Sequence, residues 1–178
     1  MSLSGNEPKS LFFSFILLEM KNNNSFNRTF YHHKDRIYNF VIHMLNDKET
    51  AKDITQEVFV KLFEVQQNGQ HIEKIGNWLF VTARNLCLNA IRDGKKSPTA
   101  HHVDIEHSVS NNSNHRIQMA NRAIATLDTT MREALILKSF EDFSYQQISE
   151  VLGVTVPAVR SLLYKARLQI RELVNKKP

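Results

Sequence analysis

An all-α fold in two small domains is what this sequence predicts, and three of its properties say so. Glycine and proline number only five and four in 178 residues, so long helices meet few breaks. Alternating runs of Val, Ile and Thr are absent, and apolar residues recur near every 3.6 positions rather than every second one. Between two such stretches, Asp93 to His115 holds Gly94, Pro98, Ser108, Ser110 and the run from Asn111 to Asn114 without periodicity, the composition of a flexible linker. A hydrophobic share of 42% supports packed cores and excludes a disordered or fibrous chain. The division expected is an N-terminal extension (1–24), a first helical domain (25–95), a linker (96–115) and a second helical domain (116–178).

The strongly apolar run is residues 11–18, Leu-Phe-Phe-Ser-Phe-Ile-Leu-Leu. It is far shorter than the roughly 20 residues of a bilayer span, and no small-residue cleavage site follows it. A short helix packed on the next domain is expected there, with no insertion into a membrane. The first core helix runs from Asn27 to about Leu45, with Phe30, Ile37, Tyr38, Val41, Ile42 and Leu45 on one stripe. Asp47 can cap the next helix, which reaches about Gln67 and turns Ile54, Val58, Lys61, Leu62 and Val65 inward. After the break at Gln67-Asn-Gly-Gln70, a third helix from Ile75 to Arg92 carries Trp78, Leu79, Ala83, Leu86, Ala90 and Ile91.

Past the linker, a helix is expected from Arg116 to about Thr126. Thr130 and Glu133 have capping-box spacing before a helix ending at Ser139, and Ser144 with Gln147 repeats that signal. Gly153 stops the short helix it follows. Thr155 can cap the last helix, with Pro157 in its first turn, where a missing N–H does no harm.

Helix, glycine turn and a further helix is the arrangement that presents side chains to a DNA major groove. An αα-hairpin in a bundle would share the topology but not the charge. From Thr155 onward the cations are Arg160, Lys165, Arg167, Arg171, Lys176 and Lys177 against the single anion Glu172, so this segment holds the whole net charge of +5. Ile148, Leu152, Val159, Leu162, Ala166 and Ile170 form the expected buried side. Arg160, Ser161, Tyr164, Lys165 and Arg167 are left for DNA.

Other candidates are weaker. On the third helix Trp78, Arg84, Asn85, Asn89 and Arg92, followed by Lys95 and Lys96, combine an aromatic ring, amides and cations, the mixture that holds unstacked nucleic acid. Trp78 alone would read as core. Asp53, Gln56, Glu57 and Glu64 share a helix face without a converging His, Cys or glycine loop, which reads as a solvated or protein-docking face rather than a catalytic one. His32 and His33, and the group His101, His102, Asp104, Glu106, His107 and His115, lack regular ligand spacing, so no metal and no other cofactor is expected. The lone Cys87, set among Leu86, Leu88 and Ile91, allows no internal disulfide and reads as a core thiol rather than a redox sensor.

Three ordered segments carry a family resemblance: Ala51-Lys-Asp-Ile-Thr-Gln-Glu-Val-Phe-Val-Lys-Leu-Phe63, then Trp78-Leu-Phe-Val-Thr-Ala-Arg-Asn85 with Asn89-Ala-Ile-Arg92, then Leu127 to Arg167. Together they resemble the extracytoplasmic-function group of bacterial sigma-70 factors, from about Asn27 to Leu173. The resemblance implies a region 2 domain in which Asp53, Gln56 and Glu57 dock on the β′ clamp helices of core RNA polymerase. It places Asn85 and Asn89, with Trp78, Arg84 and Arg92 nearby, on a flipped base of the minus-ten element. It implies a region 4 domain whose last helix enters the major groove of the minus-thirty-five element, and a linker threading along the polymerase, β subunit included. A cytoplasmic, nucleoid-associated protein held by an anti-sigma factor, often at the membrane, is implied as well. Departures are Lys52 where an acid is usual, Gln147 and Ser149 for the usual glutamate and alanine, and Leu163 near a position that is commonly polar. The rival readings are a ligand-sensing helix-turn-helix regulator, which would bind promoters without polymerase, and a metal-dependent nucleic-acid enzyme using His102 and Glu57.

Overall fold

The computed structural model describes residues 24–94 and 123–175. All regular structure among them is helical: α1 (Asn24–Leu45), α2 (Lys48–Gln67) and α3 (Ile75–Arg92) form the first domain, and α4 (Thr129–Ser139), α5 (Tyr145–Leu152) and α6 (Val156–Asn175) the second. The N-terminal apolar run, the histidine group from His101, Lys95, Lys96 and most of the expected linker and Arg116 helix lie outside the described residues.

The first three helices pack pairwise around Phe26, Ile37, Phe40, Met44, Leu45, Leu62, Leu79 and Phe80, all fully buried. Aromatic edges organise this core, with Phe26 against Phe63 at 5.6 Å and Phe40 against Phe80 at 5.5 Å between ring centres. Such pairs each add about 1 kcal/mol beyond the area they bury. The apolar stripes are wider than their periodicity suggested. Phe40, Met44, Phe80 and Cys87 are at the centre, whereas Phe30, Tyr38, Trp78 and Leu86 only pack against its edge. Lys61 does not turn inward; its ammonium reaches Glu57 at 3.5 Å on the surface, because a Lys stem can lie along the helix while its charge stays in water.

Local signals set several of the helix ends; α3 starts after Lys74 with no side-chain cap, and α4 departs from its expected cap. Asp47 accepts from the Thr50 amide at 2.7 Å, and Ser144 and Gln147 form a reciprocal capping box. Thr155 lies 3.4 Å from the Ala158 amide. That departure concerns Thr130 with Glu133. Asp128 is the actual cap of α4, accepting from the Thr130 amide at 3.0 Å, and Glu133 is buried in the following turn. The carboxylate two residues upstream of Thr130 thus starts the helix earlier than the Thr130 and Glu133 spacing implied.

In the helix-turn-helix, Gly153 takes φ 67°, the left-handed conformation that ends α5. The Ser149 hydroxyl donates to the Val154 carbonyl at 2.6 Å and ties the turn shut, which an alanine there could not do. Val159, Leu163 and Ala166 face the core, and Leu162 and Ile170 lie at its margin. Leu163 therefore stands at a core position and not on the exposed face of α6.

The two domains pack on each other, α4 against α1 and α5 against α3. Phe143 meets Phe80 with ring centres 4.7 Å apart, and Phe140 lies 4.1 Å from the His43 ring. Arg36 stacks over both Phe80 and Phe143 while its guanidinium donates to the Glu141 carboxylate at 2.8 Å and the Glu141 carbonyl at 2.9 Å. Arg132, buried at 3% exposure, donates to the carbonyls of Ile124, Ala125 and Leu127 in its own domain and of Met44 in the other.

Candidate nucleic-acid interface

The amphipathic pattern of α6 buries one side of it and leaves Arg160, Ser161, Tyr164, Lys165 and Arg167 exposed together. At about 100° per residue these positions form one face over two turns. Tyr164 keeps 69% of its surface open. Tyr145, at the start of α5, sets its ring 6.0 Å from the Arg160 guanidinium and lines a groove with Arg160, Tyr164, Arg167, Leu168 and Arg171. Sequence reading missed Tyr145, because only the turn at Gly153 brings the first residue of α5 back over α6. Its position at the head of the short helix before α6 was the available signal.

On α3, Trp78, Asn85, Asn89 and Arg92 are separated by seven, four and three residues and so fall along one stripe. Asn85 and Asn89 are exposed one turn apart, Trp78 is half-buried against the core, and Arg92 is exposed with Asp93 at 3.6 Å. The stripe thus offers amides in the middle and a cation at its C-terminal end. Arg84 is not on it. One residue before Asn85, it points about 100° away, towards α4, where its Nε lies 3.0 Å from the Glu133 carboxylate.

Glu133 is fully buried, and burial pushes its carboxyl above the usual range, partly opposed by the Arg84 charge. The pair meets by proximity and not by alignment: neither Glu133 oxygen has an aligned donor among the described residues. Glu141 behaves alike, raised by burial and pulled back by its hydrogen bond from Arg36.

The acidic face of α2 is as the periodicity implied. Asp53, Gln56, Glu57 and Glu64 are all exposed. Lys52, which breaks the acidic pattern, hydrogen-bonds Glu49 at 3.0 Å, so its charge is turned back along the helix. Cys87 is fully buried, and burial pushes its thiol up, which disfavours the thiolate form. Among the described residues no three His, Cys, Asp or Glu side chains are gathered for a metal, and no helix is long and apolar enough to cross a membrane.

Comparison with known proteins matches both halves in order. The profile of sigma-70 region 2 matches residues 29–97, and that of sigma-70 region 4 matches residues 117–170. The chain is 27% identical over 147 residues to the ECF RNA polymerase sigma factor SigM of Bacillus subtilis, spanning 79% of this chain and 89% of that one. It is 30% identical over 153 residues to the ECF sigma factor SigE of Mycolicibacterium smegmatis, spanning 81% of this chain and 59% of SigE. In fold it is similar to the sigma factor RpoE solved with the anti-sigma factor NepR from Bartonella quintana, with a TM-score of 0.70 at 21% identity over 88% of this chain and 100% of that one. CnrH, solved with the cytosolic domain of CnrY, gives 0.65 at 18% identity, over 86% and 89% of the two chains.

Proposed function

The chain belongs to the extracytoplasmic-function group of sigma-70 factors, and on that premise we propose how its surfaces divide the work of starting transcription. It is an initiation factor that gives core RNA polymerase its promoter. The first domain (25–95) binds the polymerase through Asp53, Gln56 and Glu57, whose exposed acidic face on α2 suits a basic partner surface. The stripe Trp78, Asn85, Asn89 and Arg92, with Arg84 on the adjoining flank, holds the unpaired minus-ten strand. The second domain (116–178) sets α6 in the major groove of the minus-thirty-five element through Arg160, Ser161, Tyr164, Lys165 and Arg167.

The observation that carries this reading is the pairing of two different nucleic-acid surfaces in one chain. A basic helix behind a glycine turn suits a duplex, and two exposed amides one turn apart on a helix ending in Arg92 suit bases taken out of the stack. Strand opening is driven by capture of unpaired bases, so binding alone performs it and no nucleotide hydrolysis is invoked. The protein acts in the cytoplasm, and an anti-sigma factor is its regulatory partner; the sigma factor RpoE, similar in fold, was solved with such a partner.

Run-off transcription with purified core enzyme tests the whole. Promoter-selective transcripts are expected only when both components are present, and promoter binding without polymerase would favour a ligand-sensing regulator instead. Arg160→Ala is expected to weaken minus-thirty-five duplex binding by about 1–3 kcal/mol. Asn85→Ala should leave that binding intact and lower permanganate reactivity of the opened strand. The reverse pattern would exchange the roles of the two domains.

A further inference from the structure

Between α1 and α2, next to the acidic face, lies an open groove of about 250 Å³. Buried Phe59 underlies it, half-buried Phe30, Tyr38 and Thr55 line its sides, and Lys34, Lys52 and Gln56 border it. Several of its polar groups are turned elsewhere. The Thr55 hydroxyl donates to the Ala51 carbonyl at 2.7 Å and leaves its methyl to the groove. The Lys52 ammonium donates to Glu49 at 3.0 Å, and that of Lys34 lies 5.6 Å from the centre of the exposed Tyr31 ring. Small-molecule sites usually enclose about 300–1,000 Å³ and gather a few convergent polar groups. A smaller groove walled by rings and a methyl suits the apolar side chains of a polypeptide instead.

A segment with those side chains lies in the same chain. Residues 11–18 hold Ser14 and seven apolar residues, and only residues 19–23 separate them from the start of α1, whose own Phe30 and Tyr38 line the groove. Those five connecting residues reach at most about 20 Å. From Asn24, Phe30 is six residues and Tyr38 fourteen residues along α1, about 9 and 21 Å at the helical rise. The run can therefore turn back before Asn24 and lie antiparallel to α1, with Leu18 near Phe30 and Leu11 near Tyr38. Eight residues in a helix measure about 12 Å, the same as the stretch from Phe30 to Tyr38. In that course Glu19, the anion that follows the run, arrives at the end of the groove nearer Lys34. A second copy of the chain offers the same run, but a tether this short holds the chain's own run near its groove at a local concentration on the order of millimolar. At lower protein concentrations the intramolecular arrangement wins.

We propose that residues 11–18 dock in the α1–α2 groove of their own chain and, lying over Gln56, compete with core polymerase for the first domain. The docking stands on the groove and the tether; the competition rests on the sigma reading above, in which Gln56 is a polymerase contact.

Photo-crosslinking in the full chain tests the docking, with p-benzoylphenylalanine placed at Phe15 and the joined peptides identified by mass spectrometry. Crosslinks within the monomer to residues 30–38 or 52–59 are expected. Crosslinks confined to other residues would overturn the proposal, and so would crosslinks found only in dimers, which would make a second copy the occupant. Phe12→Asp with Ile16→Asp changes the run without touching the described cores and should lower the crosslink yield at least about fivefold. Thr55→Arg, which sets a charge in the groove from the other side, should do the same while the helical circular dichroism is kept. An undiminished yield in both folded variants would overturn the docking. Without the photoprobe, Phe12→Asp with Ile16→Asp should bind purified core RNA polymerase about fivefold more tightly than the parent chain, since the covered fraction no longer competes. Equal affinity would overturn the competition. Failure of both chains to bind core would overturn the sigma reading instead and leave the crosslinking result standing.

Discussion

His33 shows how one side chain can set the acid limit of the first domain. Its ring sits edge-on to His32 with centres 4.6 Å apart, and its Nδ1 is buried without a hydrogen-bond partner. Burial first, then the neighbouring His32 and Arg36 charges, lower its pKa from 6.5 to about 4. The unfolded chain therefore takes up this proton before the folded one does. Stability from neutral His33 is fully present above pH 6.5 and is lost as pH falls towards 4. Urea titrations at about pH 7.5 and about pH 5 should show a smaller loss of midpoint for His33→Gln than for the parent chain. The raised carboxyls of Glu133 and Glu141 work in the opposite direction, but they are common to both proteins and drop out of the difference. Equal losses would mean that His33 is free to charge in the fold. None of this was legible in the sequence, where His32-His33 is only a pair of adjacent histidines; the shift exists because α1 turns one ring of the pair inward.

Helix ends were legible because caps act over three or four residues. Asp47, Ser144 with Gln147, and Gly153 all perform the roles their spacing implied. Gly153 lends itself to a test, since its φ of 67° is left-handed and a Cβ there would meet nothing within 4 Å. Any cost of Gly153→Ala is then backbone strain alone, about 1 kcal/mol, read as a lower melting temperature with α6 still helical. An unchanged melting temperature would place the stop of α5 in the Ser149 to Val154 hydrogen bond instead. Glu133 is where local reading failed. Its spacing from Thr130 fits a capping box, yet a carboxylate one turn into α4 faces the other domain, and Arg84 at 3.0 Å decides its role. The α2 and α6 faces were legible for the opposite reason: Asp53, Gln56 and Glu57, like Arg160 and Lys165, point to water, where periodicity alone fixes direction.

At the scale of the molecule, docking of the domains is an aromatic contact bordered by charge. Phe80 is shared, with Phe40 on one side in its own domain and Phe143 on the other across the boundary. Phe143→Ala removes the crossing contact without touching the Phe40–Phe80 pair. Calorimetry should then resolve two unfolding transitions in place of a single cooperative one, because each domain retains its own buried core. A single transition at lower temperature would mean that the domains unfold as one unit regardless of this ring. Arg36 and Arg132 also bridge the boundary through backbone carbonyls, so the charged border should persist in the variant and keep the domains near each other.

What the sequence by itself determined was what neighbours along the chain govern: the six described helices and most of their caps, the core stripes in outline, the basic exposed face of α6, the acidic face of α2 and the exposed amide pair of Asn85 and Asn89. Periodicity and capping are short-range physics, and a single chain displays them in full. Only the tertiary structure decided which partner each buried charge would take. Arg84 read as a nucleic-acid contact and Glu133 as a cap, and they meet each other across 49 residues. No spacing rule could pair them, because a buried carboxylate needs the nearest available cation in space, and nearness in space is set by how the two domains dock.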